Sequence, residues 1–142
     1  MKGYLRIRAE GTHYGLRVDQ VLEVVDGFEL RRAPATHESV RGVTPLRGRL
    51  IPLVQLAALL GNRPAPPTVG GTAVLARCSG SLLAFEVDDA EELVAESPLP
   101  VPEVWRLPWA SGVGRYRGDL IPIIDLEILA GRLMPGREGT GE

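Results

Sequence analysis

Two stretches of the sequence share a turn and the strand that follows it: Leu46-Arg47-Gly48-Arg49-Leu50-Ile51-Pro52 and, 70 residues later, Tyr116-Arg117-Gly118-Asp119-Leu120-Ile121-Pro122. The similarity extends outward from this motif, since 10 of the 20 residues in 42–61 are identical to their counterparts in 112–131. At an offset of 69, residues 16–25 also align with residues 85–94. A duplicated unit of about 70 residues is the simplest explanation.

Within each unit the apolar residues alternate with polar ones, in short runs closed by Gly, Pro or charged residues. Residues 5–9 and 14–18 alternate on either side of a turn predicted at Glu10-Gly11-Thr12-His13, which indicates a β-hairpin. Five such runs precede residue 55, and residues 55–61 then have helical spacing and end in Gly61. Each unit is therefore expected to form four or five short strands and one short helix, a pattern typical of a small barrel.

Pro52 and Pro122 occupy the same place in the two units, inside the strand that follows the Arg-Gly turn. Proline has no N–H to donate to a neighbouring strand, so it is tolerated at sheet edges and bulges. We therefore expect this strand to have one unpaired side in each unit.

Composition narrows the class of protein. The chain has 142 residues and 44% hydrophobic residues, enough for one domain with a real core, and its 17 Gly and 12 Pro argue against long helices. Acidic residues outnumber basic ones, 18 to 16, and the pI is about 5.7. This balance argues against a nucleic-acid partner. The longest nearly apolar stretch, residues 50–60, is about half a membrane span, which argues against direct membrane insertion.

Residues able to carry catalysis or bind a metal are few. Cys78 is the single cysteine, and the two histidines, His13 and His37, are expected to be ordinary surface residues in a turn and a loop. No catalytic, phosphate-binding or metal-binding motif is present in the sequence. We therefore expect a cytoplasmic protein that is not an enzyme and has no cofactor.

Two features leave alternatives open. Trp105 and Trp109 are each either a buried core residue or an interface hot spot. An acid and an arginine recur once per unit, Glu23 with Arg47 and Glu92 with Arg117, and we expect each pair to form a salt bridge across its barrel. Such a bridge either orients a hairpin or, in the first unit, frames a binding surface.

The repeat predicts how the chain divides. The first barrel is expected over residues 4–61 and the second over residues 72–133, packed together with a groove between them. Residues 62–71 are rich in Pro and Gly and are expected to form a linker. The tail, residues 135–142, has no periodicity and is expected to be disordered.

Four stretches of the chain, taken together, resemble the CheW-like domain family, the chemotaxis coupling proteins of bacteria: residues 18–24, 40–53, 87–88 and 118–126. The resemblance covers about residues 4–133 and implies a mainly β fold. It implies two tandem SH3-like five-stranded barrels side by side in a single domain, residues 1–142, with short helices and no enzymatic activity.

The resemblance also implies partners. These are the cytoplasmic tip of a chemoreceptor and the regulatory domain of a CheA-type histidine kinase, at receptor arrays on the inner face of the membrane. The partner-binding positions that it implies are Val21, Glu23, Arg41, Gly42, Arg47 and Gly48.

The chain departs from the family pattern at Pro45, where the family usually has Asn, and at Gln55, where it usually has Asp. Proline removes a backbone donor, and Gln caps a helix less well than Asp by roughly 1 kcal/mol. These departures put kinase binding in doubt and leave open an adaptor that keeps one interface and binds a receptor without recruiting a kinase. A further alternative is an RNA-binding SH3-like barrel, which would show a basic stripe with exposed aromatic residues.

Overall fold

A computed structural model describes residues 3–34, 37–61 and 71–133 of the chain. It contains ten strands and two short α-helices: β1 (Tyr4–Ala9), β2 (Thr12–Arg17), β3 (Val21–Asp26), β4 (Val40–Leu46), β5 (Arg49–Gln55), α1 (Leu56–Leu59), β6 (Thr72–Cys78), β7 (Ser81–Val87), β8 (Asp89–Val94), β9 (Ala110–Tyr116), β10 (Asp119–Ile124) and α2 (Leu126–Ala130). Short 3₁₀ turns lie at Val18–Gln20, Glu103–Trp105 and Gly131–Leu133. The order of strands and helix in the first unit recurs in the second, as the repeat predicts.

The strands form two five-stranded sheets, each an SH3-like barrel. The sheet with the order β3-β6-β7-β5-β4 is called the N-terminal barrel here, and the sheet with the order β8-β1-β2-β10-β9 the C-terminal barrel. The mainly β class and the two-barrel architecture are therefore confirmed.

The predicted division of the chain into barrels is wrong, because the two units exchange their first hairpins. The β1-β2 hairpin pairs with β8 and β10 of the second unit, and the β6-β7 hairpin pairs with β3 and β5 of the first. Residues 4–61 and 72–133 are thus sequence repeats but not separate barrels. Most of the predicted linker and all of the predicted tail lie outside the described residues.

The β6-β7 hairpin is buried on both faces. In β6, Val74, Ala76 and Cys78 face a central core, whereas Ala73 and Leu75 face the interior of the N-terminal barrel. The central core is the largest apolar cluster of the described residues, and it joins β1, β2, β6 and β7 to both helices. Each barrel adds only a small cluster of its own. The interface between the barrels is therefore the main core of the protein.

Tight turns of one design close four hairpins. At Glu10-Gly11, Arg47-Gly48, Ser79-Gly80 and Arg117-Gly118 both turn residues have positive φ, for example 52° and 76° at Arg47 and Gly48. This is the type I′ geometry, which matches the right-handed twist of the flanking strands and favours glycine at its second position. A repeated local requirement thus accounts for part of the glycine content.

The prolines of the repeated motif fit the pairing of their strands. β5 pairs with β7 only from Leu53 onward, and β10 pairs with β2 only from Ile123 onward. Pro52 and Pro122 therefore lie just before the second neighbouring strand joins. The expected unpaired side is present at both prolines, although neither strand is at the edge of its sheet.

Because the two barrels share the central core, we expect them to unfold together. Leu126→Ala removes a fully buried side chain from this core and should lower the free energy of unfolding by roughly 2–5 kcal/mol. Urea titrations followed by far-UV circular dichroism and by tryptophan fluorescence should still give coincident transitions. Two separated transitions, in the wild type or in the variant, would contradict a shared core.

Candidate protein-binding site

The Arg47 side chain forms a two-pronged salt bridge with Glu23 at one end of the N-terminal barrel. Arg47 Nη1 lies 2.8 Å from Glu23 Oε1, and Arg47 Nη2 donates to Glu23 Oε2 at 2.9 Å. Arg47 comes from the β4-β5 turn and Glu23 from β3, so the pair joins two elements that are distant in sequence. The predicted pairing of Glu23 with Arg47 is confirmed.

The two side chains of this salt bridge differ in their exposure to solvent. The Arg47 side chain is 71% exposed, and that of Glu23 is 30% exposed. An ion pair this exposed contributes only about 0–1 kcal/mol to folding. Its main physical effect is to hold a guanidinium in one orientation at the surface, beside the exposed turn residue Gly48 and near the exposed Leu50.

The corresponding pair in the C-terminal barrel does not form, so the predicted bridge between Glu92 and Arg117 is wrong. Glu92 lies opposite Arg6 of β1 and accepts from its Nη1 at 3.4 Å, whereas Leu75 stands opposite Glu23 in the other barrel. Glu92 therefore has a nearer cation than Arg117. The Arg117 guanidinium instead lies 5.1 Å from the centre of the Tyr116 ring.

Arg41 is held beneath the surface by a buried carboxylate. Its Nε donates to Glu86 Oε1 at 3.1 Å, and the two side chains are only 15% and 5% exposed. Removing one partner of such a pair leaves a buried charge uncompensated. Arg41 thus acts first on the structure of the barrel, by tying β4 to β7.

The residues around this pair differ from their counterparts in the C-terminal barrel. In the C-terminal barrel, Arg17 of β2 binds Asp125 at 3.2 Å. In the N-terminal barrel, Glu86 takes the place of Arg17 and Gln55 that of Asp125, and these two stand opposite each other in register. An Asp at position 55 would face Glu86, so the neutral Gln avoids a second buried carboxylate. The paired change at the two positions is a sequence signal that points to the Arg41–Glu86 bridge.

The difference between Gln55 and Asp125 also makes the two helices begin differently. The Asp125 side chain accepts from the backbone N–H groups of Glu127 and Ile128 and caps α2, whereas Gln55 makes no capping hydrogen bond to α1. The Gln20 side chain adds bonds to Asp125 and to the N–H of Leu126. The expected loss of capping at Gln55 is confirmed, and α1 is a single turn.

Pro45 leaves the β4-β5 ladder intact. Outward from Arg47-Gly48 the pairs alternate between hydrogen-bonded and non-bonded, and Pro45 stands in a non-bonded pair with Leu50. The N–H that proline lacks would point away from β5. The Arg47-Gly48 turn keeps the same geometry as the Arg117-Gly118 turn, whose φ values are 51° and 84°.

Gly42 is buried where another segment of backbone crosses β4. Arg31 and Val43 exchange two backbone hydrogen bonds of 2.8 Å, and a Cβ on Gly42, at φ 147°, would collide with the carbonyl oxygen of Arg31. Val21 is also partly buried, against the central core. Of the six predicted partner-binding residues, Arg47, Gly48 and Glu23 therefore face the surface, and Val21, Arg41 and Gly42 support it.

The crossing at Gly42 predicts different costs for two glycine substitutions. Gly42→Ala should destabilise the protein by about 2 kcal/mol or more, because it adds a backbone collision to an unfavourable φ. Gly48→Ala should cost about 1 kcal/mol, since nothing lies near its added methyl group and only the positive φ remains. Chemical denaturation of both variants measures the difference, and equal costs would show that the crossing at Gly42 is loose.

The C-terminal barrel carries a cluster of charges of its own around Glu91. Arg6 Nε donates to Glu91 at 3.0 Å, Arg8 Nη1 at 3.2 Å, and His13 Nε2 lies 3.3 Å from the same carboxylate. The Arg6 guanidinium also lies 3.8 Å from the centre of the Tyr116 ring. His13 is thus part of strand β2 and of this cluster, and the prediction of an ordinary surface histidine in a turn is wrong.

This cluster should contribute to the pH dependence of stability. Burial opposes ionisation of Glu91, but the hydrogen bond from Arg6 and the charges of His13, Arg6 and Arg8 outweigh it and hold the pKa of Glu91 below its ordinary value of 4.5. A carboxyl group with a lowered pKa in the folded protein stabilises it above the ordinary pKa, and this contribution is lost as the pH falls.

We therefore expect Glu91→Gln to flatten the fall in stability below about pH 5. Glu92→Gln is the matched control, because the Glu92 side chain is 64% exposed and should change the profile less. Urea midpoints measured from neutral to acid pH give both profiles. A Glu91→Gln profile that parallels the wild type would exclude this contribution.

The tryptophans and the cysteine have different surroundings. Trp109 is a core residue, packed edge-on against Tyr14 with ring centres 6.1 Å apart, whereas Trp105 is half-buried and lines a cleft of about 520 Å³ with Tyr116 and Leu120. Cys78 lies in the central core, and burial raises the pKa of its thiol to about 11. Such a thiol is not an activated nucleophile.

Within 3–34, 37–61 and 71–133 no three His, Cys, Asp or Glu side chains are grouped to hold a metal ion. In the same part of the chain no helix has the length and apolar character needed to cross a membrane.

Comparison with known proteins identifies the family. The family model described as CheW-like domain matches residues 3–101. The chain belongs to the CheW-like domain family. A relative described as probable chemotaxis protein CheW, from Rhizobium etli, is 31% identical over 131 residues, covering 88% of this chain and 84% of the relative. Chemotaxis protein CheW from Rhizobium meliloti is 29% identical over 94 residues, covering 62% of this chain and 61% of that protein.

The two-barrel arrangement is also found in a solved CheW structure. The scaffolding protein TtCheW from Thermoanaerobacter tengcongensis superposes with a TM-score of 0.81 over 96% of both chains, at 24% sequence identity. At this identity the likeness supports the fold alone. The CheW-like fold and family of the chain are thus established by independent comparisons.

Proposed function

We propose that this CheW-like protein is a non-catalytic adaptor that couples a chemoreceptor to a CheA-type histidine kinase through protein–protein contacts. The observation that carries the proposal is the exposed, two-pronged salt bridge between Arg47 and Glu23 at the end of the N-terminal barrel. It adds little to stability but presents an arginine in a fixed orientation at the surface. Arginine is among the residues that most often dominate protein–protein binding.

The residues around Arg47 would hold this surface in its binding conformation before a partner binds. Because Glu23 already orients the guanidinium, Arg47 would lose less side-chain entropy on binding than a free arginine. The buried pair of Arg41 with Glu86 and the backbone crossing at Gly42 fix β4, which leads into the Arg47-Gly48 turn. Transfer of the receptor state to the kinase would then depend on preformed surfaces, without chemistry in the adaptor.

The partners proposed are the cytoplasmic tip of the receptor and the regulatory domain of the kinase, at receptor arrays on the inner face of the membrane. The undisturbed turn after Pro45, and the replacement of Asp by Gln at position 55 opposite Glu86, support retention of the kinase contact. An adaptor that keeps only the receptor contact is the outcome to be distinguished by experiment.

The RNA-binding alternative has less support from the charges. Within the described part of the chain, six arginines form ion pairs with carboxylates of the same chain: Arg6, Arg8, Arg17, Arg31, Arg41 and Arg47. Their charge is largely neutralised within the protein, whereas binding to phosphates requires an excess of positive charge on one face.

Arg47→Ala tests the proposal, with Arg117→Ala as the matched control at the equivalent turn. We expect Arg47→Ala to weaken binding of a partner by roughly 1–3 kcal/mol because it removes an oriented hot-spot side chain, and Arg117→Ala to have less effect. Isothermal titration calorimetry with the receptor tip and the kinase regulatory domain offered separately measures both contacts.

Three results can be told apart. Loss of affinity of Arg47→Ala for the kinase domain supports the coupling role. Binding of the receptor tip alone by the wild type identifies the single-interface adaptor. Unchanged affinity of Arg47→Ala for both partners would rule out Arg47 as a hot spot.

A further inference from the structure

An apolar groove of about 370 Å³ opens on the N-terminal barrel. Its walls include Val40, Val43 and Pro52, and it reaches Leu83 of β7 and Leu133 after α2. Among the residues that the structure describes, none that lines the groove carries a charged side chain. The complementary occupant is therefore an uncharged apolar group, since burying an unpaired charge there would be costly.

The repeat relates the groove to a space that is filled in the other barrel. Ser39 in the first unit corresponds to Trp109 in the second, and the surrounding backbone bonds match: Gln55 N–H donates to the Ser39 carbonyl and Asp125 N–H to the Trp109 carbonyl, both at 2.7 Å. Both residues are buried. The same local fold thus holds a large aromatic side chain in one barrel and a small hydroxyl group in the other.

The surroundings of Trp109 correspond to the walls of the groove. Trp109 packs edge-on against Tyr14, and Tyr14 is the repeat counterpart of Leu83. Ala110 and Ile124, which belong to the same packed cluster as Trp109, are the counterparts of the groove residues Val40 and Val54. The C-terminal barrel therefore shows how this space is filled when it is occupied.

We propose that the groove binds an aromatic side chain of a partner protein, which takes the place that Trp109 fills in the other barrel. The uncharged lining fits such a group, and the groove is continuous with the proposed protein-binding site through Gly42 of β4. The inference rests on the proposed function in one respect, namely that the aromatic side chain belongs to a partner protein.

The first experiment uses N-acetyl-tryptophanamide as the probe and N-acetyl-alaninamide as its control, titrated into the full-length ¹⁵N-labelled protein. The tryptophan amide should cause saturable shifts at Val40, Val43 and Leu83, with a dissociation constant of roughly 0.1–1 mM for a ligand of this size. The alanine amide should cause none. The absence of saturable shifts, or equal shifts with both amides, would overturn the proposal.

Variants at position 39 test the location. Ser39→Trp introduces the counterpart residue Trp109, whose neighbours correspond to the walls of the groove, and should weaken binding of the tryptophan amide by about tenfold or more, whereas Ser39→Ala should bind like the wild type. If Ser39→Trp does not fold, Leu83→Tyr, which introduces the counterpart residue Tyr14, should reduce affinity in the same direction. Wild-type affinity in the Ser39→Trp variant would exclude this groove as the site.

Two other occupants give different results. If free indole binds at least about tenfold more tightly than the tryptophan amide, the groove is a site for a small aromatic molecule. That result would overturn the proposal that it binds a side chain of a partner protein. The same holds if the amide binds only after the chain is truncated following Leu133, because residues 134–142 would then be the occupant.

Partner domains complete the test. Ser39→Trp, but not Ser39→Ala, should weaken binding of the receptor tip or of the kinase regulatory domain by about tenfold, and unchanged affinity for both would overturn the inference. If neither domain binds the wild type while the amide still does, the proposed function fails and the groove remains an aromatic site. The two failures are therefore distinguishable.

Discussion

The structure depends on the packing of two exchanged hairpins against each other. Each hairpin completes the barrel built by the other half of the chain and also turns one face toward a core that both barrels share. Neither half can bury its apolar surface without the other, because the clusters inside the individual barrels are small. A chain of two repeats thereby becomes one structural unit, and a surface on one barrel is rigidly related to surfaces on the other.

The two barrels have nearly the same fold, but the charged side chains at equivalent positions have different partners. One barrel presents an oriented arginine with Glu23, whereas the corresponding arginine of the other barrel lies near a tyrosine ring. A partly buried ion pair also differs between the barrels, because Arg17 with Asp125 in one corresponds to Glu86 with Gln55 in the other. Because of the duplication, each residue has an equivalent position in the other barrel. Buried charges must be paired, so a change of charge at one position requires a change at its neighbour.

Local signals in the sequence were sufficient for much of the fold and for part of the site. Turn geometry favours glycine at fixed offsets, and strands impose a period of two, so the succession of strands along the chain, the Arg-Gly turns and a short helix before Gly61 could be predicted. The pairing of Glu23 with Arg47 was also predictable from the repeat. The pairing of Glu92 with Arg117 was not, because Arg6 comes from the other half of the chain and reaches Glu92 first.

The amino-acid sequence alone therefore established the duplication, the mainly β class, the positions of the turns and the resemblance to CheW-like domains, all of which follow from short-range patterns. Which hairpin completes which barrel, which carboxylate each arginine pairs with, and the groove on the N-terminal barrel were decided only by the tertiary structure. Those features result from contacts between residues up to about a hundred positions apart, as between Arg17 and Asp125, and no local periodicity encodes such contacts.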